Sequence, residues 1–408
     1  MKRIAALYKA SYSGLSPASW WLSAVMLINR SGTMVVPFMT LYLTQSLGYS
    51  ISRAGIVMGI FGAGAICGGF IGGRLSDRFG FYPVQLVTLA CGGALFMVLG
   101  QMRSYPMICA FTFLLAVVNE SFRPANSVAI AHYSKEENRT RSFSLNRLAI
   151  NLGWALGGSL GGFIAAHNYN LLFVIDGITN IGAAILLRIF LAPARQEKHA
   201  KPAAKKAPRF EVYRDTRYMV FTVLVLLFAF AFFQLFSTLP VYYRQSLHLS
   251  EQVIGATMAG NGLIIALFEM VLVFRLEGKR HPLQYIPAGT LVVGLSFVVF
   301  NILPGALGVA IISMLLVTIG EMFSMPFMNT YWISRTTEAN RGQYAGLYTV
   351  SWAMAQVLGP ATGAGFADEF GFTALWWMIG GIAILAALGF WLLRRAEEKT
   401  EAALAGSK

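Results

Sequence analysis

Charge is scarce in this chain. Asp, Glu, Lys and Arg make up 12% of its 408 residues, against roughly 25% in a soluble domain. Most of the chain therefore faces lipid or other apolar helices. Cysteine is thin as well. Cys67, Cys91 and Cys109 each lie in an apolar segment without a pairing pattern, which excludes a disulfide framework and leaves them as small buried hydrophobes. The five histidines, His132, His167, His199, His248 and His281, fall at span ends or in loops and show no ligand spacing, so no metal site is expected. A phosphate-cradling G-x-x-x-x-G-K-[ST] loop is missing too, which argues against nucleotide-driven pumping. Nothing resembles a cleavable signal peptide, because Met1-Lys2-Arg3 leads through a polar stretch into a full-length apolar run.

What the chain has is hydrophobic helix. Hydrophobic residues make up 56% and aromatics 13%. A membrane-crossing helix needs about 20 mostly apolar residues. Twelve such runs are found, at 17–44, 52–74, 83–101, 106–133, 140–166, 170–193, 217–245, 252–274, 283–302, 306–333, 341–366 and 372–394. The expected fold is an all-α integral membrane protein with two pseudo-symmetric halves of six spans. The halves are 1–193 and 217–408, joined by a basic linker at 194–216 (ARQEKHAKPAAKKAPR at its core). Lys and Arg outnumber Asp and Glu by 32 to 18. The excess sits between spans and not in one patch, which excludes a nucleic-acid surface. Lys2, Arg3, Lys9, Arg74, Arg78, Lys135, Arg139, Arg141, Arg275, Lys279, Arg280, Arg335, Arg341, Arg394, Arg395 and Lys399 all fall on one side of the twelve-span layout. The bias of basic loops toward the cytoplasm then makes both termini cytoplasmic.

The chain is internally duplicated. Asn119–Gly162 returns as Gly320–Gly363: Glu120 answers to Glu321 and Pro124 to Pro326. Glu136-x-Asn138-Arg139 answers to Glu338-x-Asn340-Arg341, and Gly157-Gly158 to Gly359-Pro360. A doubled set of apolar helices with buried charge in each half points to a transporter whose halves rock against each other.

Three stretches carry a family resemblance. Gly73-Arg74-Leu75-Ser76-Asp77-Arg78-Phe79-Gly80 resembles the signature loop of the major facilitator superfamily, G-x-L-x-D-R-x-G-R-R/K. Phe81-Tyr82 stand here in place of the final basic pair. Glycine suits close helix approach and the turn, and Asp77 suits a helix N-terminus or an arginine. The resemblance therefore implies a gating role for Gly73, Asp77, Arg78 and Gly80. Gly153-x-x-x-Gly157-Gly158-x-x-Gly161-Gly162 is similar to the antiporter motif G-x-x-x-G-P-x-x-G-G of bacterial drug/proton exporters, with Gly158 at the proline position. It adds Gly153, Gly157 and Gly161 as gating positions, where a glycine face lets a neighbouring helix pack at short distance. Arg30 with Leu41-Tyr42-Leu43-Thr44-Gln45, and Phe122-Arg123-Pro124, more weakly resemble proton-coupled oligopeptide transporters. The two glutamates of that family's first-span motif are Met26 and Asn29 here.

Ionisable residues at bilayer depth are costly and mark functional positions. Glu120, Glu321 and Asp176 are the candidate proton-coupling carboxylates. Glu120 and Arg123 lie three apart, on one helix face. They form either a tolerated internal ion pair or a switch in which burial and the arginine act on the carboxylate in opposite senses. Asp176 beside Gly177 fits coupling or helix capping. Glu269 fits the interface or a pair with Arg275. Arg30 with Asn29 fits a substrate carboxylate or neutralisation of Glu120. The remaining substrate-binding candidates are Arg123, the amides Gln234, Asn261, Asn329 and Gln356, and the aromatics Tyr42 and Trp352.

The function expected is secondary active transport by alternating access, not catalysis. The expected mode is proton-coupled export of small lipophilic or cationic compounds by antiport. Proton-coupled import of peptides or other zwitterions is the alternative. Protons are the expected coupling ion and no cofactor is needed. Expected partners are a small-molecule substrate and the lipid bilayer, with the protein a monomer in a bacterial-type cytoplasmic (inner) membrane.

Overall fold

The computed structural model describes residues 2–191 and 211–406. Residues 194–210, most of the expected linker, lie outside the described residues. Regular structure is helical throughout the described residues. A short helix, α1 (Lys2–Tyr12), precedes a first span assembled from α2 (Pro17–Ser31), α3 (Val35–Leu41) and a π-helical turn over Tyr42–Ser46. Five long helices follow: α4 (Ile51–Phe79), α5 (Phe81–Leu99), α6 (Tyr105–Tyr133), α7 (Arg139–His167) and α8 (Tyr169–Phe190). The second half repeats the plan. Its first span is again split, into α9 (Thr216–Phe233) and α10 (Thr238–Gln245), and α11 (Glu251–Leu276), α12 (Pro282–Val298) and α13 (Ala306–Ser334) follow. The last element, α14 (Arg341–Gly406), is a continuous helical run except at Gly371, whose φ of 79° and ψ of 166° break it. Eleven runs are long and apolar enough to cross a membrane, and the break at Gly371 divides the last of them, giving twelve spans.

Proline places the breaks in both first spans. A proline removes its own hydrogen bond to the carbonyl four residues earlier and crowds that carbonyl. Pro37 and Pro240 therefore disrupt the turns at Thr33 and Phe236. The helix stops at Ser31 and resumes at Val35 in one half, and a 3₁₀ turn over Gln234–Phe236 interrupts the other. Serine sets the next starts: Ser50 accepts the Arg53 N–H at 3.3 Å and Ser250 the Val253 N–H at 3.4 Å, capping α4 and α11. The turns before these caps match bond for bond. Leu47 N–H donates to Tyr42 O at 3.1 Å and Leu247 N–H to Tyr242 O at 3.2 Å. Tyr49 N–H reaches Leu43 O at 2.9 Å and Leu249 N–H reaches Tyr243 O at 3.0 Å. Gly48 has φ 69° and its counterpart His248 has φ 53°. The duplication thus extends beyond the stretch that the sequence displays.

Contacts divide the chain into two compact units. The N-terminal unit holds Gly14–Glu211 with Thr336–Ala353; the C-terminal unit holds Met1–Ser13, Val212–Arg335 and Met354–Lys408. In the N-terminal unit α4 packs on α6, α2 on α7 and α5 on α8. In the C-terminal unit α12 packs on α13, α13 on α11, and α1 lies against α11. The signature stretch expected as a loop is helical through Phe79. It forms the last turns of α4 and stops at Gly80, with φ 86°.

Glycine brings helices within backbone contact where α7 meets the first span. A Cβ on Gly153 would lie 2.5 Å from Arg30 Cβ, one on Gly157 3.0 Å from Ser31 O, and one on Gly161 3.0 Å from the Phe38 ring. One on Gly158 would meet nothing within 4 Å. Gly153→Val should therefore cost about 1–3 kcal/mol by overpacking and sharply reduce the yield of monodisperse protein on size-exclusion chromatography. Gly158→Val should leave the yield near wild type. Equal damage from both substitutions would refute this packing account.

Candidate functional site

In the N-terminal unit the charges gather on α2 and α6. Arg123 Nη1 donates to Glu120 Oε2 at 3.1 Å, as their spacing on one helix face allows. Glu120 is buried, whereas the Arg123 side chain retains 29% exposure. Arg30, nine-tenths buried, has Glu120 and Arg123 as its charged neighbours, and its Nε has no hydrogen-bond partner among the described residues. Two guanidiniums thus share one carboxylate. Tyr348 and Trp352, from the first turns of α14, are buried in the same unit with their rings 6.3 Å apart. Arg123 and Arg147 are the charged neighbours of Tyr348.

Asn29 is engaged elsewhere. Its Nδ2 donates to Asn180 Oδ1 at 2.9 Å, and Asn180 donates on to the Asp176 carbonyl at 2.8 Å. Asp176 is completely buried and accepts the N–H groups of Met34, at 3.0 and 3.1 Å, and Val35, at 2.8 Å. It caps α3 from a different span, where the break at Thr33 leaves those donors without helical acceptors. Tyr42 is also tied down. Its hydroxyl accepts from Arg103 at 2.8 Å and its ring packs on Phe173 with centroids 4.9 Å apart. A row of buried amides that the sequence reading missed crosses three helices: Gln85 donates to Asn126 at 3.2 Å, and Asn126 to Asn146 at 3.3 Å. Their signal was available, since each is an amide within an apolar run.

At the end of α4, Asp77 accepts the backbone N–H of Gly342 at 2.6 Å and of Gln343 at 2.8 Å. A carboxylate thus sits on the positive N-terminus of α14. Gly73 lets the two helices cross backbone to backbone at Gly342 and Gly346. Arg78 is exposed and lies over the Phe79 ring at 5.0 Å.

In the C-terminal unit, Glu321 is 2% exposed and accepts from Asn261 Nδ2 at 2.5 Å. The same amide also donates to Thr318 at 2.9 Å. Gln234 braces the break in its span, donating to Gly359 O at 2.8 Å and accepting from Thr238 at 2.6 Å. Asn329 donates within its own helix to Met325 O and accepts from Trp332 Nε1, both at 3.2 Å; Gln356 is exposed. Glu269 is buried against α1, where Tyr8 donates to Leu267 O and where Tyr12 has Glu269 as a charged neighbour.

A second charged cluster, also missed, ties helix ends together. Arg335 holds Asp215 through Nε at 2.9 Å and Nη2 at 2.7 Å, and Glu397 through Nη1 at 2.8 Å. Burial works against its charged form. The hydrogen bonds and charge of Asp215, with Tyr331 and Glu397, nevertheless hold the guanidinium above its ordinary value. These residues lie too far apart in sequence for spacing to reveal them.

Broken first spans, buried carboxylates on apolar helices and a carboxylate-to-helix contact at the signature stretch define a multi-pass membrane transporter. The family model for the Major Facilitator Superfamily matches residues 21–353 and 331–408, and the chain belongs to that superfamily. Its members are transporters and not enzymes. The chain is 25% identical over 370 residues to YqjV of Bacillus subtilis (strain 168), an uncharacterized MFS-type transporter, covering 88% of each chain. It is 24% identical to the multidrug resistance protein MdtH of Salmonella arizonae, over 90% of this chain and 91% of that one. It is 22% identical to a Na(+), Li(+), K(+)/H(+) antiporter of Planococcus maritimus, over 92% and 95%. The fold matches the crystal structure of the human organic anion transporter MFSD10, with TM-score 0.74 and 16% identity over 91% of this chain and 98% of that one.

Asp176→Ala strands two backbone donors, each costing about 1–3 kcal/mol, and should lower the melting temperature markedly. Asp176→Asn keeps one acceptor oxygen and should retain transport. A D176N protein with an unchanged melting temperature and no transport would overturn a purely structural role for Asp176.

Proposed function

We propose that this protein is a proton-coupled secondary active transporter that works by alternating access and exports small lipophilic or cationic compounds by antiport. The observation that carries the reading is the pair of buried carboxylates at duplicated positions, Glu120 and Glu321, each bonded to a different partner. A cation and a proton compete for one carboxylate, and competition at a site open to one side at a time yields exchange. The names of MdtH and of the cation/proton antiporter support export and exchange. Cytoplasmic termini and a bacterial inner membrane belong to the same proposal, as does a monomer.

Arg30 beside the Glu120–Arg123 pair favours a second reading, proton-coupled import of a zwitterion or peptide. A substrate anion at the arginines gains when Glu120 is protonated and releases Arg123, so proton and anion would travel together.

Purified protein in liposomes with a trapped pH-sensitive dye separates the two. Lipophilic cations should drive protons the opposite way under the first reading. Di- and tripeptides should carry protons inward under the second. Glu120→Gln should lower coupled flux at least about tenfold, as loss of its charge-assisted contact with Arg123 would, and Glu321→Gln should lower it by removing a titratable group while keeping the Asn261 contact. Normal flux with an intact pH response in both variants would eliminate coupling through these carboxylates.

A further inference from the structure

A cavity of about 340 Å³ opens in the C-terminal unit where α9 and α12 begin and α13 ends. Arg217, His281, Tyr331, Arg335, Glu397 and Thr400 line it, with Ser334 beside them. We propose that this cavity is an anion site that takes a phosphate group, carried by a phospholipid headgroup or present as free phosphate. The inference is independent of the transport reading.

The carboxylate of the lining is already used, and so are its hydroxyls, since Ser334 donates to Tyr331 O at 2.7 Å and Thr400 to Ala396 O at 3.1 Å, whereas Arg217 keeps donors to spare. Glu397 is buried; its Oε1 accepts from Tyr331 at 2.7 Å and Arg335 at 2.8 Å, while its Oε2 faces His281 Nε2 at 3.7 Å. Asp215, the other nearby acid, is held by the fork of Arg335 and also caps α9 through the Tyr218 N–H at 3.1 Å. Both acids are hydrogen-bonded to Arg335, and Arg217 with Arg335 balances their two charges, so a cation entering the cavity meets no uncommitted carboxylate among the described lining residues. An anion meets the guanidinium of Arg217, which gives Thr400 one hydrogen bond of 2.6 Å and has four further N–H groups. It also meets the positive end of the α12 dipole, although Pro282 has no N–H and His281 already accepts those of Leu283 and Gln284. His281 caps that helix by accepting the Leu283 N–H on Nδ1 at 3.3 Å, so the neutral ring carries its proton on Nε2. A helix N-terminus favours an anion, and a planar guanidinium fork suits the oxygens of a phosphate. The cavity lies at helix ends rather than mid-span, the depth at which headgroups meet basic pockets.

The test uses the full-length protein. Melting temperature is measured in detergent with inorganic phosphate against chloride at matched ionic strength. Native mass spectrometry then follows retention of phosphatidylglycerol against phosphatidylcholine. Phosphate-specific stabilisation identifies free phosphate as the source. Inert phosphate with retained phosphatidylglycerol identifies the headgroup. In either case Arg217→Gln should weaken binding about tenfold or more, as loss of a charged hydrogen-bonding partner does. Arg217→Lys, which keeps the charge without the fork, should fall between, and Arg275→Gln, outside the cavity lining, should match wild type. Should Arg217→Gln fold poorly, the intermediate binding of Arg217→Lys still decides. No preference for phosphate or phosphatidylglycerol, or equal binding by the Arg217 variants and wild type, would overturn the proposal.

Discussion

A helix broken inside an apolar surround has no water to take its orphaned N–H and C=O groups, so another part of the protein must supply partners. This chain breaks the first helix of each half, and much of its buried polar chemistry answers those breaks. Asp176 reaches across from α8 to the donors at Met34 and Val35, and Gln234 reaches Gly359 and Thr238. The solutions differ in kind. A carboxylate closes the first break as a pure acceptor. The second is closed by an amide that both donates and accepts.

The arginine on the first span depends on that arrangement. Arg30 sits one turn before the break, and the Gly153 and Gly157 face of α7 packs directly on its backbone. A side chain at either glycine would push Arg30 away from the Glu120–Arg123 pair. The glycine spacing that resembles an antiporter motif therefore has a local physical role here: it fixes the position of a guanidinium at bilayer depth. The same small-residue logic lets α4 and α14 cross at Gly73, Gly342 and Gly346, where Asp77 meets two backbone donors.

Helices were legible in the sequence because each is an apolar run of spanning length, and their number followed from those runs. The signature stretch was misread as a loop because Arg74, Asp77 and Arg78 are polar; they nonetheless continue α4 to Gly80. Glu120 with Arg123 was legible from local spacing. Asn261 with Glu321 was present as two separate candidates, and the structure joins them. Partnerships across long separations, Asp176 with Met34 or Arg335 with Asp215 and Glu397, leave no trace in periodicity, since only the packing of spans brings them together. The matching turns before Ser50 and Ser250 escaped because glycine and histidine fill one backbone role at positions 48 and 248.

The duplication makes the two carboxylates comparable, and their partners make them unequal. Arg123 is donor-only and permanently charged, so it pairs well with the Glu120 carboxylate and has little to offer the neutral acid. Asn261 presents both a donor and an acceptor, so its amide can bond Glu321 in either protonation state. Under the proposed coupling, a proton arriving at Glu120 would break an ion pair and release a guanidinium, whereas one arriving at Glu321 would still find the Asn261 amide able to bond it. Two carboxylates at duplicated positions thus stand in different surroundings: one is paired with a permanent charge and the other with a neutral amide. A chain that keeps the carboxylate at both duplicated positions while changing what stands beside it has given one side chain two electrostatic settings.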